Sequence, residues 1–310
     1  MRFPFDLPKN KEFDAVGFGT NAIDFLIQVP EYPAFNSKIE LSDYVQAAGG
    51  EVATTMVGLQ RLGLRTSYVG RFGDDASGDF GVQTLRDDGV DLSHVERIPG
   101  SKTQIAFIII DERSGERTVL WQRDEKLAFA ENEAPLDAAD RGRVLHFTPH
   151  DATACLAMAK KAKDSGAIVS IDIDNLFEGV QTLLSHVDIF IASADFPEKL
   201  FGTSATHEAL REIRSMFGCS IVGVTLGEKG SLLLCGDTFV ESTGFAVPGG
   251  CKDTTGAGDA FRVGLLYGLL TDRSVEEAAR MANAVAALKC REIGARTALP
   301  GSEELLQFLA

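Results

Sequence analysis

The sequence predicts an α/β protein, with a three-layer αβα core around a mostly parallel central sheet and a small β-sheet lid. Three observations carry that expectation. Over the C-terminal two-thirds, apolar runs of strand length alternate with amphipathic stretches of helix length, the pattern of a parallel sheet covered on both faces. Two β-rich stretches, at about 31–48 and 98–124, interrupt the alternation and read as lid insertions. The chain has 310 residues, 45% hydrophobic and 24% charged, with no internal repeat or low-complexity linker, so one domain over 1–310 is expected.

The elements follow in order. Residues 13–19 form an apolar run ending in glycine, and 22–30 alternate until Pro30 and Pro33 close them. Residues 38–46 alternate again, with Ile39, Leu41, Asp43 and Val45 on one face. From Gly49 the period lengthens: Ala53, Met56, Val57, Leu59, Gln60 and Leu62 make a helical face that stops at Gly63, before a strand at 66–70. A second amphipathic helix covers 80–88 and ends at Gly89. Residues 103–111 and 117–123 read as a hairpin turning at Ser114 and Gly115. Beyond them, strands are expected at 144–148, 168–172, 187–191, 221–225 and 232–235, with helices at 155–165, 207–217, 260–270 and 275–289.

Charge and cysteine content narrow the function classes. With 30 Lys and Arg against 45 Asp and Glu, the net charge is −15, and such a surface repels a nucleic-acid backbone. No run reaches the roughly 18 apolar residues of a membrane helix, and residues 1–14 lack the apolar stretch of a signal peptide. A cytoplasmic enzyme or binding protein without nucleic-acid or membrane partners is expected. Five cysteines, odd in number and without a CxxC pair, disfavour a disulfide framework or zinc site; Cys251 stands out only for its place beside a glycine-rich segment.

Gly17-Phe-Gly-Thr-Asn-Ala22 matches a dinucleotide fingerprint, but the alternating residues after it leave no room for the helix such a site needs. Asn21 and Asp24 read instead as polar groups at a strand end, where α/β sheets bind small molecules. His146 and His150 flank Pro149, which excludes a helical zinc pair and leaves core or loop histidines. Neither a G-x-S-x-G elbow nor a Walker A loop occurs.

The most informative stretch is Cys251-Lys-Asp-Thr-Thr-Gly-Ala-Gly-Asp-Ala-Phe261, which opens a strongly apolar helix. Residues 256–259 become its first turn, where N–H groups without carbonyl partners and the positive end of the helix dipole collect. Without side chains at Gly256 and Gly258, a phosphate can approach those amides. Asp259 in that turn reads either as an acid stabilising a helix N-terminus or as a base for an attacking hydroxyl.

Asp253-Thr-Thr-Gly-Ala-Gly-Asp-Ala-Phe261 resembles the C-terminal signature of the ribokinase-like (PfkB-type) carbohydrate kinases. Gly49-Gly50 with the helix to Gly63 resembles the N-terminal signature; Val69–Asp75, Val224–Gly230, and Asn283-Ala-Val-Ala-Ala with Gly294-Ala295 follow in family order. The resemblance implies a Rossmann-like, ribokinase-like fold and transfer of the γ-phosphoryl group of ATP to a sugar hydroxyl, with Mg²⁺. Asp259 would be the base, and the amides of Gly256, Ala257, Gly258 and Asp259 an anion hole. Asn21, Asp24, Gly49, Gly50 and Thr54 would hold the substrate, and Thr225, Gly227, Gly230 and Asn283 would lie on the nucleotide side. Asp253 and Thr255, with carbonyls near Gly294, would form a monovalent-cation site for K⁺. The lid would close over the sugar and pair into a homodimer.

Three positions depart from the family pattern. Thr54 stands where an Asn is usual, and Ser193-Ala-Asp-Phe196 replaces an Asn-x-x-Glu motif linked to magnesium. Asp195 and Glu198 nearby read as solvated acids, and Arg123, at the lid's end, reads as a surface arginine. Residue 51 is Glu rather than Lys or Arg, and its charge would repel a phosphorylated acceptor by about 1–4 kcal/mol. An unphosphorylated, ribose- or fructose-like sugar is therefore expected. The alternatives are a nucleoside kinase on the same scaffold, or a nucleotide- or sugar-binding regulator with little turnover, which an intact Asp259 argues against.

Overall fold

Two sheets organise the chain. The structure, a computed structural model, describes residues 1–204 and 206–310. The N-terminal part runs β1 (Phe13–Phe18), β2 (Ala22–Val29), β3 (Asp43–Gly49), α1 (Glu51–Arg61), β4 (Thr66–Gly73), α2 (Ala76–Asp87), β5 (Asp91–Ile98), β6 (Ile105–Asp111) and β7 (Arg117–Gln122). It continues with α3 (Leu136–Ala139), β8 (Gly142–Phe147), α4 (Ala152–Asp164), β9 (Ile168–Ile173), α5 (Val180–Leu184), β10 (Ile189–Ser193), α6 (Phe196–Phe201) and α7 (His207–Phe217). The last elements are β11 (Ile221–Thr225), β12 (Ser231–Cys235), β13 (Thr238–Ser242), α8 (Ala257–Leu270), α9 (Val275–Lys289) and α10 (Ser302–Leu309).

The large sheet has the order β13-β12-β11-β10-β9-β8-β1-β4-β5. Its pairs are parallel from β5 through β11, and the hairpin β12–β13 adds an antiparallel edge. Every residue of β9, Ile-Val-Ser-Ile-Asp-Ile, is buried, as a parallel strand covered on both faces requires. On one face Met56, Leu59, Val263, Leu266 and Ala282 join α1, α8 and α9 to the sheet; on the other, Met158, Leu210 and Ile213 do so from α4 and α7. These are the three expected layers. Helix α9 begins where Ser274 and Glu277 form a capping box, which fixes its register.

The small sheet has the order β3-β2-β6-β7 and is the expected lid, with one difference in its parts. Strand β2 belongs to it, so the first insertion starts at Ala22 rather than near 31. The hydrogen-bonded part of the alternating stretch is β3 at Asp43–Gly49 rather than 38–46, because pairing with β2 starts only at Gln28–Asp43. The turn of the second hairpin lies at Ser114 and Gly115 as expected, both donating their N–H groups to the Asp111 carbonyl. Among the described residues, no helix is long and apolar enough to cross a membrane.

Candidate functional site

The carboxyl ends of the large sheet's strands open under the lid, where ligands of α/β sheets bind. There a cavity of about 540 Å³ is lined by Asp172, Ser193 and Thr225 from the ends of β9, β10 and β11, and by Gly256, Gly258, Asp259 and Arg262 from the start of α8. The lid contributes Asp24, Ala106, Arg117, Val119 and Trp121, and Gly50 and Glu51 come from the start of α1. Residues far apart in sequence, and on two different sheets, therefore face one space.

Helix α8 supplies the floor. Gly256 adopts a left-handed conformation (φ 76°), and a Cβ there would lie 2.8 Å from the Ala295 methyl carbon, so the turn closes only with glycine. No side chain caps the helix. The Ala257 N–H is already taken by the Thr254 carbonyl at 3.1 Å, whereas the amides of Gly256, Gly258 and Asp259 have no such backbone partner among the described residues. Of the four amides expected from sequence to receive an anion, one is therefore engaged by the fold.

The carboxyls around this floor raise one another. Burial pushes Asp259 well above the usual carboxylate range, and the charges of Asp172 and Glu51 push it further. Burial likewise raises Asp172 to about 7, against the attraction of Arg262. Glu51, its side chain 34% open to the cavity yet surrounded by protein, rises to about 7 by desolvation first and by Asp174 second. The counterweight is Arg262, whose Nη2 lies 2.5 Å from Asp172 and donates to the Ile191 carbonyl at 3.0 Å. Its Nε has no partner among the described residues. Sequence reasoning missed both Arg262 and Asp172, since an arginine within an apolar helix and an acid within a buried strand carry no motif.

At the turn into α1, where the acceptor is expected, Gly49 and Gly50 make room. A Cβ on Gly49 would lie 1.9 Å from Asp24 Oδ2, and Gly50 (φ 85°) would strike the backbone of Asn21. Asp24 is buried, which raises its carboxyl to about 6 despite the attraction of Arg296. Asn21 lies outside the lining: its amide nitrogen donates to the Tyr68 hydroxyl at 2.7 Å and the Arg71 carbonyl at 3.0 Å, which braces the β1–β2 turn against β4, while its buried Oδ1 has no partner among the described residues. Thr54 also lies outside the lining, fully buried, accepting from Arg296 Nε at 3.4 Å. That arginine donates as well to the Gly49 carbonyl, so its guanidinium sits beside Thr54, behind the glycine pair.

His150 faces the cavity. Its ring lies 4.8 Å from Phe177 and 6.2 Å from Trp121, and its Nδ1 is 3.9 Å from Glu51. Burial lowers its basicity. His146 is a core residue, paired with Ser170 Oγ at 3.2 Å. Arg123 is not a free surface arginine: it grips Asp151 at 2.7 and 2.9 Å, fastening the end of the lid to the core. At the other end, Arg117 Nη1 donates to the Thr254 hydroxyl at 2.6 Å. Phe196 is fully buried against Phe190, and Asp195 pairs with Lys199 at 2.8 Å.

On the expected nucleotide side, Thr225 lines the cavity, while Gly227 and Gly230 bound the turn after it, both with positive φ. Asn283 is spent on structure, donating to Ser231 Oγ at 3.2 Å and the Ser242 carbonyl at 3.1 Å. At the expected cation site, Asp253 is fully buried; its carboxylate accepts from the Thr255 and Gly294 amides, each at 2.8 Å. The Lys289 ammonium, also fully buried, donates to the Asp253 carbonyl at 2.7 Å and lies 3.7 Å from Asp253 Oδ2. Among the described residues, no three His, Cys, Asp or Glu side chains gather as a metal cage.

This arrangement can bind an anion on the α8 amides and hold a hydroxyl near a buried carboxylate, the needs of phosphoryl transfer to an alcohol. Known proteins agree with that chemistry. The sequence profile of the pfkB family carbohydrate kinases matches residues 14–301. An uncharacterized sugar kinase of Archaeoglobus fulgidus is 32% identical over 254 residues, covering 79% of this chain and 99% of that protein. A nucleoside kinase of Methanothermobacter thermautotrophicus is 25% identical over 304 residues, 96% of each chain. Among solved structures, a double mutant of fructokinase from Vibrio cholerae O395, bound to fructose, ADP and potassium ion, superposes with a TM-score of 0.78. It is 27% identical, over 97% of this chain and 100% of that one. The chain belongs to the pfkB family of carbohydrate kinases, which are ATP-dependent phosphotransferases.

Proposed function

We propose that this protein transfers the γ-phosphoryl group of ATP to a hydroxyl of an unphosphorylated sugar of the fructose or ribose type. The observation that carries the proposal is the meeting of Asp24 and Asp259 across one cavity, above the open amides of α8. Asp24 accepts from a substrate hydroxyl and fixes its direction. Asp259 takes the proton of the attacking hydroxyl, while the Gly258 and Asp259 amides and Arg262 stabilise charge on the transferring group. The glycine cradle fits a phosphate, because a Cβ at Gly256 or Gly258 would meet neighbours at 2.8 Å. Asp172 and Asp174, in the same cavity, would be the carboxylates to hold a nucleotide-bound Mg²⁺, which needs only one or two and would keep its remaining waters. At the place expected for K⁺, the Lys289 ammonium already donates to the Asp253 carbonyl.

Glu51, ionised above its raised pKa of about 7, favours an acceptor without a phosphate of its own there, as like charges inside one cavity repel. A nucleoside acceptor is the second reading, supported by the aromatic group Trp121, His150 and Phe177, whose faces suit a base. Pairing of two copies through the lid's outward face belongs to the same proposal, supported by Tyr44, Phe107 and Leu120 at 63%, 42% and 55% exposure. Sedimentation would show a dimer that Phe107→Lys converts to monomer.

An ADP-release assay across free hexoses, pentoses, sugar phosphates and nucleosides tests the reading. Turnover is expected on a free ketohexose or pentose, and Asp259→Asn should lower kcat by about 10²–10⁴ with ATP affinity kept. Normal turnover by that variant would remove Asp259 as the base. Sugar binding without ADP release from any acceptor would make the protein a regulator.

A further inference from the structure

We propose that Lys289 supplies from within the chain the positive charge of a monovalent cation, so that phosphoryl transfer here is independent of K⁺. The proposal contradicts what resemblance alone implies for Asp253 and Thr255, and three observations carry it. The Lys289 side chain is fully buried, and its Nζ donates to the Asp253 carbonyl at 2.7 Å, 3.7 Å from the Asp253 carboxylate. A buried charge needs a partner, and this pair makes each the other's. Next, both oxygens of the Asp253 carboxylate are already engaged, Oδ1 by the Thr255 amide and Oδ2 by the Gly294 amide. A metal ion there would have to share one carboxylate with a resident ammonium and displace nothing that carries charge. Finally, Lys289 is in the last turn of α9, where carbonyl groups at the helix end favour a cation.

The location gives the charge a role. Asp253 starts the loop that ends in the Gly256 turn, and the ordered bonds at Thr255 and Gly294 hold that loop against the segment carrying Ala295, which packs on Gly256. An ammonium anchored to Asp253 therefore sets the shape of the loop that presents the Gly258 and Asp259 amides. Lys289 is a positioning residue: it acts through the loop and does not line the cavity.

The kinetic arm of the test rests on the kinase reading; the other two do not. At equal ionic strength in potassium, sodium or tetramethylammonium chloride, the native enzyme should keep kcat and KM for ATP within about twofold. Its melting temperature should be the same in all three salts. Crystals soaked in thallium(I) should show no anomalous peak beside Asp253. In Lys289→Ser, which opens the space, kcat in tetramethylammonium should fall about 10²-fold and recover in potassium. The same variant should melt higher in potassium than in tetramethylammonium. Recovery by an ion is a response that a lysine needed only for packing would not give. Activation of the native enzyme by potassium beyond about fivefold, or a thallium peak at Asp253 in it, overturns the proposal. Should Lys289→Ser fail to fold, the native protein's thallium and melting experiments decide alone. If no acceptor is turned over, the kinase reading fails, and the same two experiments still decide the role of Lys289.

Discussion

Asp24→Asn should make the unliganded protein more stable and the enzyme worse. Burial raises the Asp24 carboxyl from 3.8 to about 6, and that balance already includes the opposing attraction of Arg296. At about 1.4 kcal/mol per pH unit, the ionised side chain costs the fold about 3 kcal/mol at neutral pH. The sign follows from proton binding: the native carboxyl holds its proton more tightly than the unfolded one. The penalty is therefore absent when both are protonated, grows as pH rises from about 4 to 6, and is full above that. Asparagine removes the ionisation and keeps the shape, so the gain over native protein should be about 3 kcal/mol near pH 7.5 and about 1 kcal/mol near pH 4.5. Urea denaturation of both proteins at the two pH values measures it. The KM for the acceptor should rise at least tenfold, since a directed acceptor of a hydroxyl proton is lost. A stability difference that does not change with pH, or a less stable variant near pH 7.5, would refute the reasoning.

Other outcomes follow from the same geometry. Arg262→Met leaves Asp172 buried without its ion-pair partner and should cost about 3–5 kcal/mol. Because Asp172 can take up a proton below its raised pKa of about 7, urea melts should show the loss growing as pH rises through that value. Gly256→Ala forces a Cβ into a left-handed position against Ala295. It should lower stability by about 1–2 kcal/mol in the same melts and reduce ADP release more than tenfold. Arg117→Ala removes the 2.6 Å bond to Thr254 across the mouth of the cavity. Initial-rate measurements should give an acceptor KM raised up to about tenfold, with a smaller change in kcat.

Most of the fold could be read from local signals. Helices α7 and α9 occupy the expected residues because each has sharp ends: Thr206 and Gly218 bound α7, and the Ser274–Glu277 box opens α9. Strand β5 was missed because its sequence, Asp-Leu-Ser-His-Val-Glu-Arg-Ile, is an edge strand only partly buried and carries no apolar run. Strand β13, also on an edge, was hidden for the same reason. At the site, glycine-rich signatures were legible because backbone approach demands glycine wherever it occurs. Arg262, Lys289 and Arg296 were not, because each owes its place to a partner distant in sequence: Asp172, Asp253 and Gly49 respectively. Asn21 and Asn283 illustrate the reverse, polar residues whose amide nitrogens are engaged by the fold. Periodicity reports which face of an element is buried; it does not report which buried polar groups will meet.

Asp24, proposed to hold the acceptor, stands on the small sheet, and Asp259, the proposed base, on a helix packed against the large one. On that proposal, which hydroxyl receives the phosphate depends on how the two sheets are registered against each other. That registration is held at Arg117–Thr254 and Arg123–Asp151. Changes at those fastenings, or in the strands that carry them, can redirect the product from one positional isomer to another without altering the pocket's chemistry. Under the proposed function, positional selectivity becomes an angle between sheets, open to adjustment by residues that never touch the acceptor.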